Sequence, residues 1–190
     1  MILYLHGFNS TPASKKAQQL GAYMASRGLG ADFVCPPLPH MPGEAIAVAE
    51  AAIARAAGRP VTLVGSSLGG FYSTWLAEKH GFNAVLLNPA VLAGRDLRAL
   101  LGPQKNLYSG EEYLLTEAHI AGWERLVVPA ITPSRYLLIV ETGDEVLDDR
   151  EAVERYRGAR QIVIEGGDHT LASFPEHMPA ILEFAGYGRG

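Results

Sequence analysis

Short runs of Val, Ile and Leu recur along the chain with little polar interruption, at residues 2–5, 31–35, 61–64, 84–87, 136–140 and 161–164. A strand with one wet face alternates apolar and polar residues, whereas a strand buried on both faces reads as a nearly continuous apolar run. These six segments therefore predict strands of a parallel sheet covered on both sides. Between them lie stretches with helical period. Residues 14–27 set Ala17, Leu20, Tyr23 and Met24 on one stripe and stop at Gly28, and residues 43–57 space Ile46 and Ile53 by seven before Gly58. Residues 68–79 follow the third run directly, residues 151–156 precede the sixth, and Pro175 opens a last helix to about Phe184. Alternation of this kind means right-handed crossovers: an α/β fold with a mostly parallel six-stranded sheet and helices on both faces.

One segment breaks the alternation. About forty residues, 91–133, separate the fourth and fifth strands, far more than a plain crossover helix needs. They contain a helical stretch at 95–101, a turn at Gly102-Pro103 and an amphipathic stretch from Glu111 to Val127. A structureless loop of that length is uncommon in a compact domain, so a small helical cap over the sheet edge is expected.

Length and composition add limits. With 190 residues, 48% hydrophobic and 19% charged, the chain suits one globular domain spanning residues 1–190, with the cap as an insertion. The net charge of −4 and the absence of any basic run longer than Lys15-Lys16 argue against nucleic acid as a partner. A single cysteine, Cys35, excludes an intrachain disulfide and suits a reducing compartment. No run approaches the ~20 apolar residues of a membrane span, and the first residues lack the marks of a signal peptide, so a cytoplasmic location is expected.

The strongest local signal is Val61-Thr-Leu-Val-Gly65-Ser66-Ser67-Leu68-Gly69-Gly70: a buried strand, then Gly-x-Ser-x-Gly, then a helix. A serine on a sharp strand-to-helix turn projects its hydroxyl clear of the backbone, and glycines two residues to either side remove the β-carbons that would collide. The glycine spacing selects Ser67 over its neighbour Ser66. A phosphate-binding loop would need other glycine spacings, which are absent.

A serine hydroxyl needs a base. Of the histidines at 6, 40, 80, 119, 169 and 177, His169 lies in Gly166-Gly167-Asp168-His169-Thr170, just past the last strand, where loops project from the carboxyl edge of a parallel sheet. His6, in Leu5-His6-Gly7-Phe8-Asn9, follows the first strand and fits an oxyanion loop, with the Phe8 and Leu68 amides as its two donors. The other four histidines are read as surface or packing residues. For the acid that orients the histidine, Asp144 in Glu141-Thr142-Gly143-Asp144-Glu145-Val146 is favoured. Glu141, Glu145 and Asp168 remain alternatives, while Asp148 and Asp149 suit the cap of the helix near Glu151.

In the order Ser67, Asp144, His169 these motifs resemble the α/β-hydrolase superfamily, and they are most similar to the small bacterial YqiA-type esterases, the UPF0227 family. The resemblance implies a compact α/β-hydrolase fold and a serine carboxylesterase or thioesterase acting on small acyl esters or thioesters, with Ser67, Asp144 and His169 as the triad and no cofactor or metal. The resemblance sets the first strand as the oxyanion strand, so a six-stranded sheet without the two leading strands of larger members is expected. Leu107, Tyr108, Tyr113, Leu114, Leu115 and Trp123 are candidates to line an acyl pocket, at least half of them expected simply to pack the cap. Lys15, Lys16, Arg95, Arg98 and Lys105 are read as solvated charge rather than as an anion site. A catalytically silent module binding a small ligand or partner is the alternative from another class, and an amidase or perhydrolase a variant of the same chemistry.

Overall fold

The computed structural model describes residues 1–106 and 108–188. Its centre is a six-stranded, wholly parallel sheet built from β1 (Ile2–Leu5), β2 (Phe33–Val34), β3 (Thr62–Ser66), β4 (Asn83–Leu87), β7 (Tyr136–Glu141) and β8 (Arg160–Ile164), in the order β2-β1-β3-β4-β7-β8. The five central pairs keep the carboxyl ends of the strands together, so the segments after β1, β3, β4, β7 and β8 gather on one edge.

Period-two alternation divides the strand residues between two apolar layers. Leu3, Leu5, Leu63, Ala84, Leu86, Leu138 and Val140 face α2 (Pro42–Arg55), α3 (Leu68–His80) and α6 (Asp149–Arg155). Ile2, Tyr4, Val64, Val85, Leu87, Leu137 and Ile139 face α1 (Lys15–Ala25) and α7 (Phe174–Phe184). Both layers are buried, which is why the strands read as unbroken apolar runs. In α1 the buried stripe is Ala17, Leu20 and Met24; α3 is buried nearly all round and ends at Gly81 in the left-handed conformation, φ +75°. Asp148 caps α6 by accepting the Arg150 amide.

Two expectations are corrected. The second strand is shorter than residues 31–35, because Gly30–Asp32 form a 3-10 turn that leaves Phe33–Val34 to pair. The insertion at 91–133 is not simply helical. It runs as α4 (Ala93–Leu97), an antiparallel hairpin of β5 (Gly102–Lys105) and β6 (Glu112–Leu115), then α5 (Glu117–Glu124). The Gly102-Pro103 turn is thus the start of a strand, and the stretch from Glu111 to Val127 is half strand and half helix. Trp123 anchors α5 with no exposure, its indole N–H donating to the Tyr72 hydroxyl at 2.8 Å. No helix among the described residues is long and apolar enough to cross a membrane.

Candidate active site

Ser67 sits between β3 and α3 at φ +54°, ψ −119°, a conformation that costs a non-glycine residue about 1–3 kcal/mol. The surroundings hold it there. The Ser67 amide donates to the Leu87 carbonyl at 3.0 Å, and its own carbonyl accepts the Gly70 and Ala90 amides at 2.9 and 3.1 Å. Glycine is required at Gly69, where a Cβ would lie 1.9 Å from the Leu5 carbonyl oxygen, and at Gly65, where it would lie 2.3 Å from the Gly69 carbonyl. The turn is therefore packed against the end of β1, which brings the segment after β1 to the serine: the Cβ position of Gly7 is 3.3 Å from Ser67 Cβ.

His169 and Asp144 arrive from the loops after β8 and β7. His169 Nδ1 lies 2.9 and 2.8 Å from the two Asp144 carboxylate oxygens, and Nε2 lies 3.2 Å from Ser67 Oγ. Because a carboxylate only accepts, Nδ1 carries the proton, and Nε2 offers a lone pair to the serine hydroxyl. The Asp144 side chain is 2% exposed. Burial works to raise its carboxyl, but the hydrogen bonds from His169 and from the Leu147 and Val146 amides together outweigh it and hold Asp144 below the usual carboxylate range. The structure thus brings the three residues into one hydrogen-bonded chain. The competing carboxylates go elsewhere: Glu145 accepts the His169 amide, Asp168 the Thr170 amide, and Glu141 three amides of the His169 loop.

The chain opens on a cleft of about 650 Å³ whose walls include Phe8, Leu68, Leu97, Leu100, Leu147 and Leu171. Leu68 is the first residue of α3, so its amide has no acceptor within the helix. His6 does not face the serine. It is buried, its Nδ1–H donates to the Gly7 carbonyl at 3.1 Å, its Nε2 accepts the Leu38 amide at 3.0 Å, and burial lowers its pKa. It latches the β2–α2 segment to the loop that carries Phe8.

Of the insertion residues, Tyr108 reaches the cleft, with Leu97 and Leu100 beside it from outside the expected set. Leu115 and Trp123 pack in the core, Leu114 faces solvent at 58% exposure, and Leu107 lies outside the described residues. Tyr113 stacks on His40 with ring centres 4.2 Å apart, and its hydroxyl donates to Asn9 Oδ1 at 2.8 Å, tying the hairpin to the loop behind Phe8. His40 Nδ1 in turn meets His119 Nε2 of α5 at 2.9 Å. These two histidines, His119 buried and His40 partly exposed, cross-link cap and body, a pairing that residues 79 apart do not announce. Arg95 pairs with Asp96 and Glu151, Arg98 with Glu117 and Glu124, and Lys105 with Glu112. Lys15 and Lys16 line the cleft. Burial lowers the Lys16 ammonium to about 8 against the pull of Asp168, Asp144 and Glu141, and it donates to the Thr170 carbonyl at 2.8 Å.

A parallel sheet with a serine turn after its third strand, and an acid and a histidine on later loops, is the α/β-hydrolase fold. Solved structures share it: a hydrolase-type protein from Agrobacterium vitis S4 matches with a TM-score of 0.79 at 20% identity, over 97% of this chain and 87% of its own. Mouse alpha/beta hydrolase domain-containing protein 10 matches at 0.71 and 16% identity, over 96% and 87%. Monoacylglycerol lipase from Paleococcus ferrophilus matches at 0.66 and 18%, over 98% and 94%. The chain itself belongs to UPF0227, an uncharacterised protein family whose model matches residues 1–186.

Proposed function

We propose that this protein is a serine hydrolase, a carboxylesterase or acyl thioesterase, that works through an acyl-enzyme on Ser67. The observation that carries this reading is the hydrogen-bonded chain Asp144–His169–Ser67 opening on an apolar cleft. In the first half-reaction Ser67 Oγ bonds to the substrate carbonyl carbon while its proton passes to His169 Nε2. Asp144 keeps Nδ1 protonated and stabilises the imidazolium that forms. The Phe8 and Leu68 amides receive the oxyanion, a contribution of about 3–4 kcal/mol per donor in comparable sites. Collapse of the tetrahedral species breaks the ester or thioester bond, and the alcohol or thiol leaves with the proton from Nε2. Water then attacks the acyl group with Nε2 again as base, releasing the carboxylic acid and restoring Ser67.

Residues 1–190 act in this reading as one catalytic domain, with the 91–133 insertion forming part of the cleft wall. Leu97, Leu100 and Tyr108 from that insertion suit an acyl chain, in line with the apolar character of small-molecule sites. The test is a panel of p-nitrophenyl esters and acyl thioesters of graded length. Wild type is expected to turn over a subset, and Ser67→Ala to fall to background; turnover that survives in Ser67→Ala would remove the reading.

A further inference from the structure

Two buried side chains outside the Asp144–His169–Ser67 chain hold the loop on which His169 sits. Glu141, the last residue of β7, is 1% exposed. Its Oε2 accepts the Asp168 amide at 2.8 Å and the Ala172 amide at 3.2 Å, and its Oε1 accepts the amide and hydroxyl of Ser173 at 2.9 and 2.5 Å. Asn88, one residue past β4, is 3% exposed. Its Nδ2 donates to the Asp168 and His169 carbonyls at 3.0 and 3.4 Å, and its Oδ1 accepts the Glu141 amide at 3.0 Å. An acceptor thus takes the amides that flank His169 and a donor takes the carbonyls, and the two side chains are joined through the backbone of Glu141. The fit is close: at Gly167, with φ +75°, a Cβ would lie 2.1 Å from Glu141 Oε2.

A buried carboxylate is costly unless its lone pairs meet donors. Here burial raises the Glu141 carboxyl, while the Ser173 hydroxyl and the three amides outweigh it and hold the group below its ordinary value, so it is ionised at neutral pH. All four of these donors lie between residues 168 and 173, on either side of His169. Reacting groups tolerate misplacement poorly, with about 100-fold lost for about 1 Å. The 3.2 Å contact from His169 to Ser67 therefore depends on where this loop is held.

We propose that Glu141 and Asn88 are positioning residues that set His169 against Ser67, Glu141 being the dominant one. This rests on the reading of Ser67 as nucleophile and His169 as base. Glu141→Gln retains an oxygen where the Asp168 and Ala172 amides converge; its NH₂ can donate to the Ser173 hydroxyl but loses the Ser173 amide, which also donates to Oε1. Glu141→Ala removes all four bonds.

The experiment uses the full chain of each variant, with kcat and KM on a p-nitrophenyl ester and the rate of Ser67 labelling by a fluorophosphonate. Glu141→Ala is expected to lose about 10–100-fold in kcat and in labelling rate with KM within about two-fold, while Glu141→Gln, which keeps the Asp168 and Ala172 bonds, recovers part of that loss. Asn88→Ala, which leaves the Glu141 carboxylate in place, is expected to lose about 5–20-fold in kcat with the same KM pattern, and it serves if Glu141→Ala does not fold. Folded variants with a lower Tm but wild-type kcat and labelling rate would overturn the proposal, as would equal losses in the Gln and Ala forms. A wild-type protein that takes no label on Ser67 would instead overturn the underlying serine-hydrolase reading.

Discussion

Replacing Asp144 by asparagine alters a single functional group at a point where the hydrogen-bond geometry dictates the outcome. Asp144 Oδ1 accepts the Val146 and Leu147 amides at 2.8 and 2.9 Å, so the asparagine oxygen must take that place. Its NH₂ then occupies the Oδ2 position, 2.8 Å from His169 Nδ1. The asparagine oxygen, 2.9 Å from the same Nδ1, has its two lone pairs taken by the Val146 and Leu147 amides, so Nδ1 accepts from the NH₂ and the ring proton moves to Nε2, where it points at Ser67 Oγ across 3.2 Å. A base already protonated on that nitrogen cannot take the serine proton. The loss expected from a wrong tautomer is about 10⁴ in kcat, or about 5.4 kcal/mol of barrier at about 1.36 kcal/mol per decade. The fold should scarcely notice, since the Val146 and Leu147 bonds survive; a cost of about 1–2 kcal/mol, read as a few degrees in Tm, is expected. The assay is steady-state turnover of p-nitrophenyl butyrate beside a thermal melt. An Asp144→Asn protein that melts normally and keeps kcat within ten-fold of wild type would refute the tautomer argument and with it the role given to Asp144.

Gly69→Ala should destabilise by at least about 3 kcal/mol, lowering Tm by about 6–12 °C, because its methyl would lie 1.9 Å from the Leu5 carbonyl oxygen; a melt within about 2 °C of wild type would contradict the packing of the elbow on β1. Asp144 and Glu141 both have folded pKa values below the ordinary carboxylate value, hydrogen bonds in each outweighing burial. Their stabilisation is therefore in full force above the unfolded values near about 4 and is lost as pH falls through the folded ones. The urea midpoint should hold from about pH 7 to about pH 5 and fall below about pH 4, less steeply in Glu141→Gln; a midpoint flat through that acid range would count against both assignments. Leu100→Asp places a charge in the cleft wall and should reduce the octanoate-to-acetate ratio of kcat/KM at least about ten-fold, given about 0.8 kcal/mol per buried methylene. An unchanged ratio would place the acyl chain elsewhere.

The sheet was legible in the sequence because its four central strands, β1, β3, β4 and β7, are buried on both faces, so that successive residues such as Leu3 and Tyr4 both end in apolar layers. The serine turn was legible for a similar reason: Gly65 and Gly69 are dictated by contacts only atoms apart. The hairpin was not. Gly102-Pro103-Gln104-Lys105 has no apolar periodicity, and it is held from outside its own segment, by Gln104 accepting from Asn9 Nδ2 at 3.1 Å and by Asn106 donating to the Ser10 carbonyl at 3.0 Å. Local pattern does not carry such long-range bonds. Among the crowded carboxylates after β7, spacing favours Asp144 but says nothing of Glu141, whose partners lie 27 to 32 positions away. Asn88 could have been noticed as an Asn-Pro pair at the carboxyl end of a strand, a turn signal on the edge where loops gather.

The central claim, that Ser67 is a nucleophile activated by His169, is tested most directly by intact mass after exposure of the folded protein to a fluorophosphonate. A single adduct is expected that maps to Ser67, is absent in Ser67→Ala and forms at least about 100-fold more slowly in His169→Ala. No adduct on the wild-type protein, or one that persists in Ser67→Ala, would contradict it.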